Sequence, residues 1–259
     1  MLDRFRKAKE HEIAVLEERR RNGTMPPPIP GKRPGFAAAL KAAPGRAVIA
    51  EYKRASPSKG AINLEFGPED VAAAYAKAGA RAISVLTEET YFKGSLAYLE
   101  VMADAGLPLL RKDFIFNPLQ VDATAATKAS AVLIIVRMLD DETLAALLER
   151  CGTHGLEAVV EVFDAGDLAR AQGAGASIIQ VNNRDLDTLA VDLGVSHSLI
   201  DRKKAGETWI SASGVFTRHD LDGLLALGFD AALVGTSLMD GPDPGANLAA
   251  LLGEAYAGA

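Results

Sequence analysis

Eight short apolar runs, each ending in a polar loop and most followed by an Ala/Leu-rich helical stretch, predict an α/β fold: a single (β/α)8 TIM barrel with an N-terminal helical extension. Two further observations agree. The chain has 259 residues, a length that one α/β barrel commonly occupies. The runs are almost continuously apolar rather than alternating, as strands covered on both faces must be. They are Val48–Tyr52, Ala82–Leu86, Pro108–Leu110, Ala131–Val136, Ala158–Val162, Ile178–Val181, Thr208–Ser211 and Ala231–Val234. A doubly wound open sheet is the alternative. It normally uses fewer strands over this length and puts a Gly-rich nucleotide loop after the first, where this chain has Ser56-Pro57-Ser58-Lys59-Gly60.

The extension is read as residues 1–45 and the barrel as 46–259. Leu2, Phe5, Ile13 and Leu16 recur among charges and predict an amphipathic helix from Leu2 to Arg21, stopped by Asn22-Gly23. The prolines between Met25 and Gly31 cannot continue a helix, so that stretch is extended. A short helix follows from Gly35 to Ala42. Within the barrel, helix stops are expected where small residues let glycine take the left-handed position: Gly79, Gly106, Gly152, Gly175, Gly206 and Gly228.

Composition narrows the function. A net charge of −6 gives no basic field with which to displace counterions, so a general nucleic-acid binder is disfavoured. The charged N-terminus lacks the apolar core of a signal peptide, and nowhere do about 18 apolar residues run together, so no membrane association is expected. Cys151 is the only cysteine, which fits a cytoplasmic protein without disulfides, and the four histidines show no helical pairing that would bind a metal. The partner expected is a small molecule, and the chain is expected to be a monomer or a weak homo-oligomer.

In such barrels the working groups sit at the C-terminal ends of strands. Here those ends carry Glu51 and Lys53, Thr87-Glu88, Lys112-Asp113, Arg137, Glu161, Asn182 with Arg184, Ser211 to Gly214, and Gly235-Thr236-Ser237. Glu51 and Lys53 are two apart on one strand and leave the same face. Read alone, the pair is either a salt-bridged strand end or one wall of a pocket. Ser213-Gly214 and Gly235-Thr236-Ser237 follow the seventh and eighth runs, where backbone N–H groups of Gly-containing loops approach a phosphate closely. Lysines and glutamates beside an anion-receptive loop suit acid-base chemistry on a phosphorylated substrate.

Several segments in register carry a resemblance that covers essentially the whole chain. Glu51-Tyr52-Lys53-Arg54-Ala55-Ser56-Pro57-Ser58-Lys59-Gly60, Leu86-Thr87-Glu88, Phe92-Lys93-Gly94-Ser95, Arg111-Lys112-Asp113-Phe114-Ile115, Val181-Asn182-Asn183-Arg184-Asp185-Leu186, Ser213-Gly214 and Leu233-Val234-Gly235-Thr236-Ser237-Leu238-Met239 resemble the indole-3-glycerol-phosphate synthase family. The resemblance implies a cofactor-free lyase of tryptophan biosynthesis. Its reaction closes the ring of 1-(2-carboxyphenylamino)-1-deoxyribulose 5-phosphate to indole-3-glycerol phosphate, with loss of carbon dioxide and water. By residue match, Lys112 is the general acid on the ketone, Glu161 a carboxylate in the later proton removal, and Glu51 an acid-base or positioning group paired with Lys53. Which carboxylate acts in which step stays open. Asn182 and Arg184 match substrate contacts, and Phe92, Phe114, Leu133, Leu186 and Leu233 match the lining for the phenyl ring, although Leu133 and Leu233 equally suit barrel core. Lys53, Ser56, Ser213, Gly214, Gly235 and Thr236 match phosphate and sugar contacts. The chain ends at Ala259, soon after the eighth helix, so no fused isomerase domain is expected.

The pattern breaks in places. Ala212 stands where the family has glutamate, and a lost charge-assisted bond of about 1.5–3 kcal/mol corresponds to roughly 10- to 150-fold in kcat/KM. An attenuated enzyme is therefore expected. Gln180 replaces a glycine, which brings a side chain to a bare strand position and requires different packing there. Two other readings accommodate these departures: a paralogue acting on a related amino-sugar phosphate, or a non-catalytic phosphate-binding barrel. The second has no need for Glu51, Lys112 and Glu161, all of which are present.

Overall fold

The computed structural model describes residues 2–256, the side chains of Leu2 and Asp3 excepted, so the assignment of Leu2 to the apolar face and residues 257–259 lie outside the described residues. The eight runs form parallel strands: β1 (Val48–Tyr52), β2 (Ala82–Leu86), β3 (Leu109–Lys112), β4 (Ala131–Ile135), β5 (Glu157–Val162), β6 (Ile178–Asn182), β7 (Thr208–Ala212) and β8 (Ala231–Val234). Each pairs with its sequence neighbours, and β8 returns to β1 through Val48↔Ala232, Ile49↔Leu233 and Ala50↔Val234. The sheet is closed and leaves no edge. Every residue of β1, β2, β4, β6, β7 and β8 is buried, which explains the absence of alternation in those runs.

The third strand departs from its apolar run. The apolar run covers Pro108–Leu110, but pairing continues through Val85↔Arg111 and Leu86↔Lys112, so two charged residues belong to the strand itself. Backbone hydrogen bonding sets this boundary, and hydropathy does not register it. Arg111 and Lys112 consequently point to opposite faces of the sheet.

Helices α1 (Leu2–Arg21) and α2 (Phe36–Lys41) form the extension. The outer layer comprises α3 (Pro68–Lys77), α4 (Tyr98–Val101), α5 (Pro118–Ala125), α6 (Asp141–Thr153), α7 (Ala165–Gly173), α8 (Gly194–Leu199), α9 (Arg218–Ala226), α10 (Thr236–Met239) and α11 (Pro244–Leu252). Local chemistry starts several of them. Asn117 and Gln120 form a reciprocal capping box at α5, as do Thr217 and Asp220 at α9, while Asp140, Asp164 and Asp243 each accept an N–H at a helix start. One expected stop is wrong. Gly152 lies inside α6, where Cys151 packs into the core, and the left-handed turn is delayed to Gly155 at φ 64°.

The extension touches both ends of the barrel. At the N-terminal end of β5, Glu157 accepts from the backbone N–H groups of Phe36 and Ala37, tying down the start of α2, while Phe36 and Leu40 are fully buried. At the other end α1 buries Phe5 and Leu16 and half-buries Ile13. It also inserts charges. Lys9 Nζ lies 2.6 Å from Asp113 Oδ1, and Arg111 Nη2 lies 2.9 Å from both Glu12 Oε1 and Asp113 Oδ2. Thr87 donates to Asp113 at 2.6 Å, and Arg111 donates to Gln120 O and Thr124 Oγ1. Burial alone would raise the Asp113 pKa, but the Arg111 and Lys9 cations outweigh it and hold the group below the usual carboxylate range.

Asp113→Ala would leave two buried cations short of their anion. Urea unfolding is expected to report a loss of about 3–5 kcal/mol, with amide exchange in α1 accelerated. A loss below about 1 kcal/mol, the range of an exposed pair, would contradict the network's role.

Candidate active site

The C-terminal mouth of the barrel is organised around one carboxylate. Glu51 is buried at the end of β1, and its Oε1 lies 2.9 Å from Lys53 Nζ while its Oε2 lies 3.1 Å from Lys112 Nζ on β3. Ser84 Oγ on β2 donates to Oε2 at 3.3 Å. The two-residue spacing of Glu51 and Lys53 thus does place both on one wall, and the strand end is both a salt bridge and a pocket. Burial pushes the Glu51 pKa up, but Lys112 and Lys53 overcome this and bring it down to about 2. Glu51 is a permanent anion.

Lys112 is the bridge between elements. Burial pulls its pKa down, yet Glu51 and Glu161 together raise it above the ordinary lysine value, so it is an ammonium at neutral pH. The balance left open by the sequence therefore falls on the charged side. Glu161, buried on β5, behaves oppositely to Glu51. Desolvation lifts its pKa above the ordinary value, and Lys112 with the amides of Asn182 and Gln180 offsets this only in part. Two carboxylates in one pocket are thereby driven apart, one held as an anion and one made more basic.

Two cavities share this ionic centre. The first encloses about 850 Å³ including its open mouth, and Phe92, Phe114, Leu133 and Leu186 line its apolar part, with Ser56, Asn182, Arg184, Ser213 and Thr236 around it. The second, also bordered by Glu51, Lys53, Lys112 and Arg184, is lined by Ser213, Gly214, Leu233, Gly235 and Thr236. Leu233 thus borders the loop side rather than the aromatic side. It pairs with Ile49 and Ala212 within the sheet and is buried, so it is also part of the barrel wall. Ser56 lies against the aromatic cavity, and its Oγ lies 3.2 Å from that of Ser58 while accepting from Lys59 N.

Close approach explains the glycine of the eighth loop. A Cβ on Gly235 would lie 2.4 Å from Glu51 Oε1, so only a bare Cα lets β8 pass this carboxylate. The seventh loop is held differently. Ser213 adopts φ 68°, unusual for a residue with a side chain. Asn183 enforces it by donating to Ser211 Oγ, Ala212 O and Ser213 O, each at 3.0 Å, while its own oxygen accepts from Ser196 N.

Not every strand end faces the cavity chemically. Thr87 and Asp113 are committed to the α1 network, and Glu88 accepts the N–H groups of Thr90, Tyr91 and Phe92 to shape the second loop. Arg137 turns away to Asp164 and Asp167 and stacks over Phe163. Conversely, Phe5 of α1 borders the aromatic cavity and stacks on Phe114, with ring centres 4.1 Å apart and planes 14° apart. Its helical spacing read only as core. Ala212 contributes a buried methyl in register with Asn182.

Fold and site define a (β/α)8 barrel with an ionic mouth, apolar on one side and loop-lined on the other. A family model described as indole-3-glycerol phosphate synthase matches residues 2–251, and the chain belongs to that family. Relatives named indole-3-glycerol phosphate synthase include one from Roseiflexus sp. (strain RS-1), 45% identical over 241 residues, covering 90% of this chain and 88% of the relative. Another, from Aquifex aeolicus (strain VF5), is 46% identical over 212 residues, 81% of this chain and 82% of the relative. Among solved structures, 3-hexulose-6-phosphate synthase from Salmonella typhimurium superposes with a TM-score of 0.64 at 13% identity, over 80% of this chain and 97% of that one. At that identity the likeness is one of fold.

Two glycine substitutions separate close approach from ordinary turn use. Gly235→Ala is expected to cost about 1–3 kcal/mol in urea unfolding as Glu51 is displaced. Gly152→Ala lies within a helix with nothing among the described residues within 4 Å of the added carbon and should stabilise the protein by about 0.5–1 kcal/mol. Equal effects would remove the steric argument.

Proposed function

We infer that this chain converts 1-(2-carboxyphenylamino)-1-deoxyribulose 5-phosphate to indole-3-glycerol phosphate, carbon dioxide and water. Family membership across residues 2–251 supports the reaction. The observation that carries the mechanism is Lys112: a partly buried ammonium, 3.1 Å from Glu51, bordering both the aromatic cavity and the loop-lined one. The substrate has those same two ends. Its carboxyphenyl ring suits Phe92, Phe114, Leu133 and Leu186, together with Phe5. Its phosphate suits Lys53 and the Ser213-Gly214 and Gly235-Thr236 loops, where short backbone segments expose N–H groups. Arg184 borders both cavities and Asn182 the first, and they suit the sugar hydroxyls and the ring carboxylate.

Chemistry then follows from charge. As the ring carbon bearing the carboxylate attacks the ketone carbon, negative charge grows on the ketone oxygen, and Lys112 supplies a proton. Carbon dioxide leaves from the attacking carbon and restores aromaticity. The new hydroxyl takes a second proton, from Lys112 once solvent has recharged it, and departs as water, and removal of a proton from the neighbouring carbon completes the indole. Glu161 is the better base for that last step because desolvation makes it more basic. Glu51, held near 2 and claimed by two ammonium groups, holds Lys112 and Lys53 in place. The missing acceptor at Ala212 supports an attenuated rather than an abolished activity. A net charge of −6 supports a small-molecule role without nucleic acid. No described helix is long and apolar enough to cross a membrane.

Indole fluorescence on incubation with the carboxyphenylamino-deoxyribulose phosphate tests this directly. Product is expected from the wild type, with kcat lowered about 10²- to 10⁴-fold by Lys112→Met and kcat/KM raised about tenfold or more by Ala212→Glu. In the pH profile, kcat should rise as Glu161 ionises and show no alkaline limb until above the ordinary lysine range. No product from a folded wild type would defeat the assignment.

A further inference from the structure

The glutamine at position 180 has an unusual place. It is fully buried on the inner side of β6, in register with Glu161 on β5 and Ile210 on β7. Its Nε2 donates to Glu161 Oε2 at 2.5 Å, while its Oε1 is buried and has no hydrogen-bond partner among the described residues. An ionised carboxylate can only accept, so the amide must present its N–H to Glu161 and leave its oxygen bare. A bare buried acceptor costs free energy, which the charge-assisted bond on the other side offsets. Once Glu161 takes a proton, a half-turn of the amide lets Oε1 accept it, so one side chain partners both forms.

We propose that Gln180 is a positioning residue for the reaction, fixing the Glu161 carboxylate for proton removal through its Nε2–H. The proposal rests on the role of Glu161 given above. The groups facing Glu161 are few: Lys112 from β3 and Glu51 from β1 are charged, Asn182 and Gln180 from β6 are amides, and its β4 register neighbour Ile135 is apolar. Gln180 is the partner in closest hydrogen-bond contact. A donor to the charged form favours that form, so its removal makes Glu161 harder to ionise.

The test is a carbon-13 titration of glutamate-labelled protein, with the Glu161 carboxyl signal assigned by its absence in Glu161→Gln. Gln180→Met removes the donor at nearly constant volume and should move the Glu161 midpoint up by about one unit. Gln180→Glu, of the same shape, sets two carboxylates to share one proton and should move it further. The acid limb of kcat should follow the midpoint in both, with KM changed by less than about threefold. Unmoved midpoints overturn the proposal. So does a moved midpoint with a fixed acid limb, because Gln180 would then hold a carboxylate the reaction does not use. The titration needs no substrate, so it decides the hold on Glu161 separately from the functional reading.

Discussion

The carboxylate of Glu51 holds the mouth of this barrel together. It stands at the end of β1, takes one ammonium on each oxygen, and requires β8 to pass it at a glycine. Desolvation opposes the ammonium form of Lys112, and Glu51, with Glu161, outweighs it. Barrel closure makes the arrangement possible. Residues from β1, β2, β3, β5 and β8 converge only because the sheet returns on itself, and the strand pairing fixes which side chains share a level.

The same strand that supplies Lys112 explains why the N-terminal extension matters. Arg111 points outward into a buried ionic cluster with Glu12 and Asp113, while Lys112 points inward to Glu51. Strand alternation thus sends one cation into the structural cluster and the next to the cavity mouth. Helix α1 uses the first cation for docking and contributes Phe5 to the cavity beside the second. Position of the extension and composition of the site are therefore linked through β3.

Most of the architecture was legible because buried parallel strands write themselves as apolar runs and glycines mark reversals. The exceptions are instructive. Arg111 and Lys112 extend β3 beyond its apolar run because hydrogen bonding, not hydropathy, sets its end. Gly152 read as a stop, yet the helix keeps Cys151 packed and turns only at Gly155. In the site, Glu51, Lys53, Lys112 and Glu161 were found from strand-end position and family motif, and they do converge. Arg137 shares that position but turns to Asp164 and Asp167, because proximity of counter-charges is a tertiary property. Phe5 and Asn183 could not be separated from core and loop residues by spacing alone. Gln180 stood out as a departure, but its bond to Glu161 depends on a register that only the closed sheet defines.

The central claim is that Lys112 works as an ammonium because Glu51 holds it so. Titrating the Lys112 side chain by heteronuclear NMR, in wild type and in Glu51→Gln, measures this without reference to turnover. The account predicts a wild-type midpoint above the ordinary lysine value and a clear fall in the variant, where burial acts with less opposition. A wild-type midpoint near neutrality, or one that Glu51→Gln leaves unchanged, would contradict it.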